Sequence, residues 1–170
     1  INLVANGSLK KTGDDKLTYY AHVNTMKLST GFMSDIYKLI DSEKKTPEVL
    51  TNLEHFIFSG ELGGIGKNLF ARGFFETGVG KAQIDAGIRE GSLFHIYVNT
   101  DNLNIGKLTG NNKFGNMSTD ISVNGKLNNS KITNLNAKGF IKGIDYNKYS
   151  YKNIRIDGIY ESGLFDGNLS

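Results

Sequence analysis

Ala82-Gln83-Ile84-Asp85-Ala86-Gly87-Ile88-Arg89 alternates between apolar and polar or small residues along its whole length. Successive side chains of an extended chain point to opposite sides, so a period of two marks a strand with one dry and one wet face. After the turn residues Glu90-Gly91-Ser92, the residues Phe94, Ile96 and Val98 resume the pattern, and 82–98 reads as a β-hairpin. Working outward, the same alternation carries Leu17, Tyr19, Ala21 and Val23, then Phe56, Phe58, Gly60 and Leu62. Beyond the hairpin it carries Ile121, Val123, Gly125 and Leu127, then Leu135, Ala137, Gly139 and Ile141. Ile154, Ile156, Gly158 and Tyr160 follow, and Phe165, Gly167 and Leu169 close the series. The runs recur every ~8–17 residues between Gly, Asn and Asp turns, which predicts about nine or ten antiparallel strands.

Gly60, Gly73, Gly87, Gly125, Gly139 and Gly158 fall inside these runs as well as beside them. Glycine weakens a strand interior and marks bends, bulges or close backbone approach, so a curved sheet is expected rather than a flat one. One stretch departs from period two. Ile36, Leu39, Ile40, Val49, Leu50 and Leu53 are spaced by threes and fours. Thr46-Pro47-Glu48 offers an N-cap followed by a proline at the first helical position. One or two short helices are therefore expected between 34 and 53, linked by the charged run Asp41-Ser42-Glu43-Lys44-Lys45 and covering an end or edge of the sheet.

With 170 residues, the chain reads as a single β-rich segment, 1–170. It has 21 Gly, 19 Asn, one Pro and neither Cys nor Trp, which excludes disulfides, thiol nucleophiles and cysteine zinc sites. Apolar runs of about four residues fall far short of the ~20 of a membrane-spanning helix. The net charge is +3, and the lysines are scattered, so no nucleic-acid stripe is expected. The chain opens on Ile1 and closes on Ser170 inside strand-like patterns, and it is read as excised from a longer protein.

Catalytic patterns find no foothold. Gly60-Glu61-Leu62-Gly63-Gly64-Ile65-Gly66-Lys67-Asn68 superficially resembles a phosphate loop. However, Glu61 replaces the first required glycine and Asn68 the magnesium-binding Ser or Thr, so a hairpin turn is expected. His22, His55 and His95 lie in three separate strands, and Asp14, Asp15, Glu61, Asp85, Asp101 and Asp120 sit at turns or on wet faces. No serine occupies a Gly-x-Ser-x-Gly elbow. No metal site, cofactor or enzymatic activity is expected. Tyr146, Tyr149 and Tyr151 cluster instead, as half-buried strand residues or as the amphipathic rim of an apolar groove.

Gly143-Ile144-Asp145-Tyr146-Asn147-Lys148-Tyr149-Ser150-Tyr151-Lys152-Asn153-Ile154-Arg155-Ile156-Asp157-Gly158, continuing through Tyr160 and Leu164-Phe165-Asp166-Gly167-Asn168-Leu169, has a recurrent cadence of tyrosine, aliphatic, glycine and then Leu-Phe-x-Gly. It resembles the strand units of the TamB branch of the AsmA-like family. Leu103-Asn104-Ile105-Gly106-Lys107-Leu108-Thr109-Gly110, with Phe114-Gly115, Ile121 and Val123-Asn124-Gly125, resembles a second unit, and Met26-Lys27-Leu28 with Phe32 and Ile36 a weaker copy. The likeness covers 100–170 best, and the helical stretch at 34–53 departs from it. The resemblance implies a long bacterial envelope protein, anchored in the inner membrane and projecting through the periplasm. Its strands would form an elongated, U-shaped β-taco. The apolar concave face would carry phospholipid between membranes or aid outer-membrane protein assembly, so phospholipid acyl chains or outer-membrane assembly proteins are the implied partners.

The dry faces supply the residues of such a groove: Ala82, Ile84, Ala86, Ile88, Phe94, Ile96, Val98, Ile121, Val123, Leu135, Ala137, Ile141, Ile154 and Ile156. The alternative is a structural or adhesive cell-surface module in which these same residues form a filled core. An enzyme acting on glycans is the third reading, and it requires two carboxylates converging on a cleft.

Overall fold

The computed structural model describes residues 2–12, 16–32, 34–35, 48–90, 92–128, 131–161 and 163–170. Ten strands make one sheet: β1 (Asn2–Thr12), β2 (Lys16–Ser29), β3 (His55–Ile65), β4 (Asn68–Thr77), β5 (Gly80–Arg89), β6 (Leu93–Asn104), β7 (Phe114–Asn128), β8 (Lys131–Tyr146), β9 (Tyr149–Glu161) and β10 (Leu164–Leu169). Their spatial order is their sequence order. Every neighbouring pair is antiparallel, and among the described residues β1 pairs only with β2 and β10 only with β9, so the sheet is not closed. The mainly-β, antiparallel architecture read from alternation is the one observed.

Register explains why alternation translates into one continuous dry face. Directly opposed residues share a face. Leu62 pairs with Ala71, Ala71 with Ala86, Ala86 with Ile96, Ile96 with Val123, Val123 with Ala137, and Ala137 with Gly158. The neighbouring row on the same side runs Gly64, Leu69, Ile88, Phe94, Gly125, Leu135, Tyr160. On the opposite side Glu61, Arg72, Asp85, Tyr97, Ser122, Lys138 and Asp157 form a polar row.

The sheet curls toward its apolar side. Tyr19 of β2 and Ile132 of β8 line the same cleft. Strands six places apart in a flat sheet would be separated by ~29 Å and would enclose no common cleft, so the shared cleft of about 560 Å³ requires the sheet to bend. Bulges lie between Val23 and Met26, Thr100 and Leu103, and Phe114 and Met117, each adding local twist. Gly60 and Gly139 both adopt φ 153°, in the interiors of β3 and β8. A Cβ on Gly60 would stand 2.2 Å from the Arg72 carbonyl oxygen and 2.6 Å from the Gly73 Cα. Only a side chain reduced to hydrogen lets the two backbones approach that closely.

The two ends of the trough differ. One end carries only short connections: 12–16, 65–68, 89–93, 128–131 and 161–164. The segment expected not to be a phosphate loop lies here, as the end of β3 and a turn in which Gly66 has φ 60°. The opposite end carries two short helices, α1 (Glu48–Asn52) and α2 (Ile105–Thr109). They are tied together by Asn52 Nδ2, which donates to the Leu108 carbonyl at 3.0 Å, and by an ion pair of Lys107 with Glu54. The Tyr146-Asn147-Lys148-Tyr149 turn also lies there, with φ 51° and 70° at its two central residues, as a type I′ hairpin requires.

Helix α1 falls within the expected 34–53 window, and residues 30–32 and 34–35 are also helical. Thr46, Pro47 and the charged run 41–45 lie outside the described residues. Helix α2 corrects the reading of 103–110 as part of a strand unit. Asn104 Oδ1 accepts from the Lys107 amide at 2.7 Å, and Gly110 takes the left-handed φ of 68° that ends the helix. A cap on each side outweighs the alternating appearance of a five-residue segment. Asn104→Ala is therefore expected to cost about 1 kcal/mol, read as a lower urea midpoint.

Burial is concentrated at the helical end. Among the described residues the buried apolar side chains are Val23, Phe58 and Val79, at 3%, 2% and 4% exposure. Phe58 lies against Phe75, ring centroids 4.8 Å apart, and Phe56 against Phe75 at 5.1 Å. Thr100 and Thr119 are also buried, their hydroxyls donating to the carbonyls of Met117 and Phe140. The helical end is thus filled, while the short-turn end of the same apolar face is not.

Candidate apolar groove

The unfilled part is a groove of about 560 Å³ lined by Tyr19, Leu62, Gly63, Leu69, Phe70, Ala71, Ala86, Gly87, Ile88, Phe94, His95, Ile96, Leu127 and Ile132. Two rows of the dry face make its floor, and the β7–β8 hairpin supplies Leu127 and Ile132. Space for this floor depends on small residues beside large ones. A Cβ on Gly125 would stand 2.5 Å from the Phe94 ring, and one on Gly64 would stand 2.8 Å from the Tyr19 hydroxyl. Each ring lies over the glycine of the adjacent strand. The groove stays open to solvent, since Leu69, Ile96 and Ile132 are 45%, 38% and 46% exposed.

All fourteen residues expected to line a groove lie on this one face by register. Ala86, Ile88, Phe94 and Ile96 line the cleft itself. Ala82, Ile84, Val98 and Ile121 continue the face toward the filled end, and Val123, Leu135, Ala137, Ile141, Ile154 and Ile156 extend it across β7, β8 and β9. Tyr19, Leu62, Leu69, Ala71, Leu127 and Ile132 join the lining without having been expected there. Alternation alone marks Tyr19, Leu62 and Leu127 as dry. Their meeting with Ile96 depends on the curl.

The outer face is a ladder of polar pairs. Tyr20 Oη donates to Glu61 Oε1 at 2.9 Å, and Arg72 Nε donates to Glu61 Oε2 at 2.7 Å. Lys81 pairs with Glu76 at 2.8 Å, His95 with Asp85 at 3.3 Å, and Lys138 with Asp157 at 3.6 Å. The hydrogen bond from Arg72, then that from Tyr20, holds the Glu61 carboxyl below its ordinary value. Hydrogen bonds from Lys107 and Lys81 do the same for Glu54 and Glu76. A carboxyl depressed in the folded state contributes stability above its unfolded pKa, and that contribution is lost as pH falls through the folded value. Stability is therefore expected to hold from neutral pH down to the ordinary glutamate value of 4.5 and to fall below it. Urea titrations across the acid range should show a shallower fall in a Glu61→Gln, Glu76→Gln double variant.

His22, His55 and His95 stay on separate strands, and no three His, Asp or Glu residues gather into a metal-sized cluster among the described residues. Asp14 and Asp15 lie outside the described residues. Tyr146 and Tyr151 are 39% and 47% exposed, about half-buried as expected, whereas Tyr149 is 67% exposed, and all three stand at the helical end, away from the groove. No described helix is long and apolar enough to cross a membrane. Comparison with known proteins finds no matching family model, no matching curated protein and no matching solved structure.

Proposed function

We propose that this chain is a periplasmic segment of a TamB/AsmA-like envelope protein whose concave apolar face receives phospholipid acyl chains, for transport between membranes or for outer-membrane protein assembly. The observation that carries the reading is the groove: about 560 Å³, apolar over nearly all its lining, and open at one end of a curled sheet. Dry cavities of ~150 Å³ hold a benzene, so this volume suits on the order of twenty carbon atoms, roughly one acyl chain. The outer face carries the polar pairs with Phe74, Phe140 and Ile159 standing singly among them, whereas the inner face is apolar over contiguous rows. The strand-unit cadence at 143–169 supports the same assignment. A structural or adhesive module with a filled core would need the Leu69, Ile96 and Ile132 side chains covered, and among the described residues they are not.

Photo-crosslinking tests the reading directly. A benzophenone side chain at Ile96, inside the groove, should capture lipid when the chain is irradiated with phosphatidylethanolamine–phosphatidylglycerol vesicles. The same group at Gln83, on the outer face opposite Asn99, should not. Ala86→Trp, which fills the groove floor, should abolish the Ile96 adduct while leaving the urea midpoint near that of the parent. Equal labelling from both positions, or none from Ile96, would remove the groove from consideration.

A further inference from the structure

The polar face of the sheet, opposite the apolar groove, carries two clefts of its own over β6–β9. The first, of about 510 Å³, lies at the short-turn end. Register lays two rows of side chains across it. Arg89 and Lys126 both flank Leu93, Lys126 opposes Asn134, and Asn134 opposes Glu161; in the next row Asn124 opposes Asn136. The second cleft, of about 400 Å³, continues along the same strands, because Ser122 and Lys138 stand two residues on from Asn124 and Asn136, and the exposed Phe140 lies beyond them. Elsewhere on this face the charges are matched, Glu61 with Arg72, Glu76 with Lys81, Asp85 with His95 and Asp157 with Lys138. In the first cleft they are not. The side chains of Arg89, Asn124, Lys126, Asn134, Asn136 and Glu161 make no hydrogen bond or ion pair with other described residues.

We infer that this face binds a neutral, hydroxyl-rich oligosaccharide, held along the two clefts by the Asn124, Asn134 and Asn136 amides, with Phe140 as a packing surface for a sugar ring. Each amide sets an acceptor oxygen beside two N–H donors. Neighbouring hydroxyls of a sugar present the complementary arrangement, one donating while the next accepts. The charges select a neutral occupant. Arg89 and Lys126 oppose a cation, and Glu161 beside Asn134 opposes an anion, whereas a hydroxyl accepts from the first two and donates to the third. The apolar C–H side of a ring packs on an exposed aromatic such as Phe140. Asn136 and Phe140 are four residues apart on one face of β8, about 14 Å, which is longer than a single sugar and suits a short chain of them. The inference does not rest on the groove receiving lipid, since the two sites lie on opposite faces and can be filled together.

The test titrates the chain with chitotetraose and with maltotetraose, both neutral oligosaccharides, and follows backbone amide NMR shifts. At least one of them should give saturable shifts confined to β6–β9. The Asn124→Ala, Asn136→Ala double variant should weaken that binding roughly tenfold, the effect of losing two hydrogen bonds. Phe140→Ala, a change at an exposed position, should weaken it about fivefold by an independent route, and circular dichroism reports that each variant keeps its fold. Ala86→Trp, which fills the apolar groove, should bind the sugar as the parent does. Inorganic phosphate should give no saturable shift. Absence of saturable binding by both sugars, sugar binding that survives both the Asn and the Phe140 variants, or phosphate binding tighter than either sugar overturns the inference and leaves the groove reading intact. Sugar binding abolished by Ala86→Trp overturns it too, since the occupant would then sit on the apolar face.

Discussion

Gly60→Val is expected to destabilise the fold by about 3–5 kcal/mol, a large part of the ~5–15 kcal/mol that holds a typical domain together. Two effects combine. The backbone at Gly60 has φ 153°, where a branched side chain is strained, and its Cβ would fall 2.2 Å from the Arg72 carbonyl oxygen. The obstacle is backbone of the neighbouring strand, which cannot swing aside as a flexible side chain would. Gly139→Val should behave alike, since its Cβ would meet the Asp120 carbonyl oxygen at 2.1 Å and the Ile121 Cα at 2.8 Å. Gly31→Ala is the control, with nothing within 4 Å of the added carbon, and should change stability by no more than ~0.5 kcal/mol. Urea unfolding followed by circular dichroism reads all three. A Gly60→Val chain as stable as the Gly31→Ala chain would show that the close approach of β3 and β4 is not needed for the curl.

The second large effect is expected at Phe58. Its side chain is 2% exposed and stacked on Phe75, so Phe58→Ala should cost about 3–5 kcal/mol through lost burial and the cavity left behind. Phe74, on the adjoining strand but facing outward at 62% exposure, should tolerate alanine within about 0.5 kcal/mol. The contrast measures how unequally the chain distributes its packing. A loss below 1 kcal/mol at Phe58 would mean that the helical end is not the centre of stability.

The period-two pattern was enough to place the fourteen expected groove residues on one face, because next-neighbour antiparallel pairing keeps alternating residues in register from strand to strand. Three things escaped it. Alternation is least legible in β4, where Phe70 and Phe74 stand on the wet face beside Arg72 and blur the contrast with Leu69 and Ala71. Helix α2 is a single turn or so, and Leu103, Ile105 and Leu108 satisfy a strand or a helix template equally; only the caps at Asn104 and Gly110 separate the two. The division of the dry face into a filled and an open portion depends on curvature that brings Tyr19 beside Ile132, and curvature is a sum of bulges and bends with no local signature.

The unbroken strand order has a kinetic consequence. Every sheet contact is made by a hairpin or a short connection, apart from the longer β2–β3 link, so the loops to be closed during folding are small. All-β proteins usually fold slowly because distant strands must find one another. Here each strand needs only the one synthesised before it, and order can spread along the sheet as it does through a stack of repeats. Such a chain would assemble progressively as it emerges into its compartment, and loss of β10 would fray one margin while leaving the remaining hairpins paired.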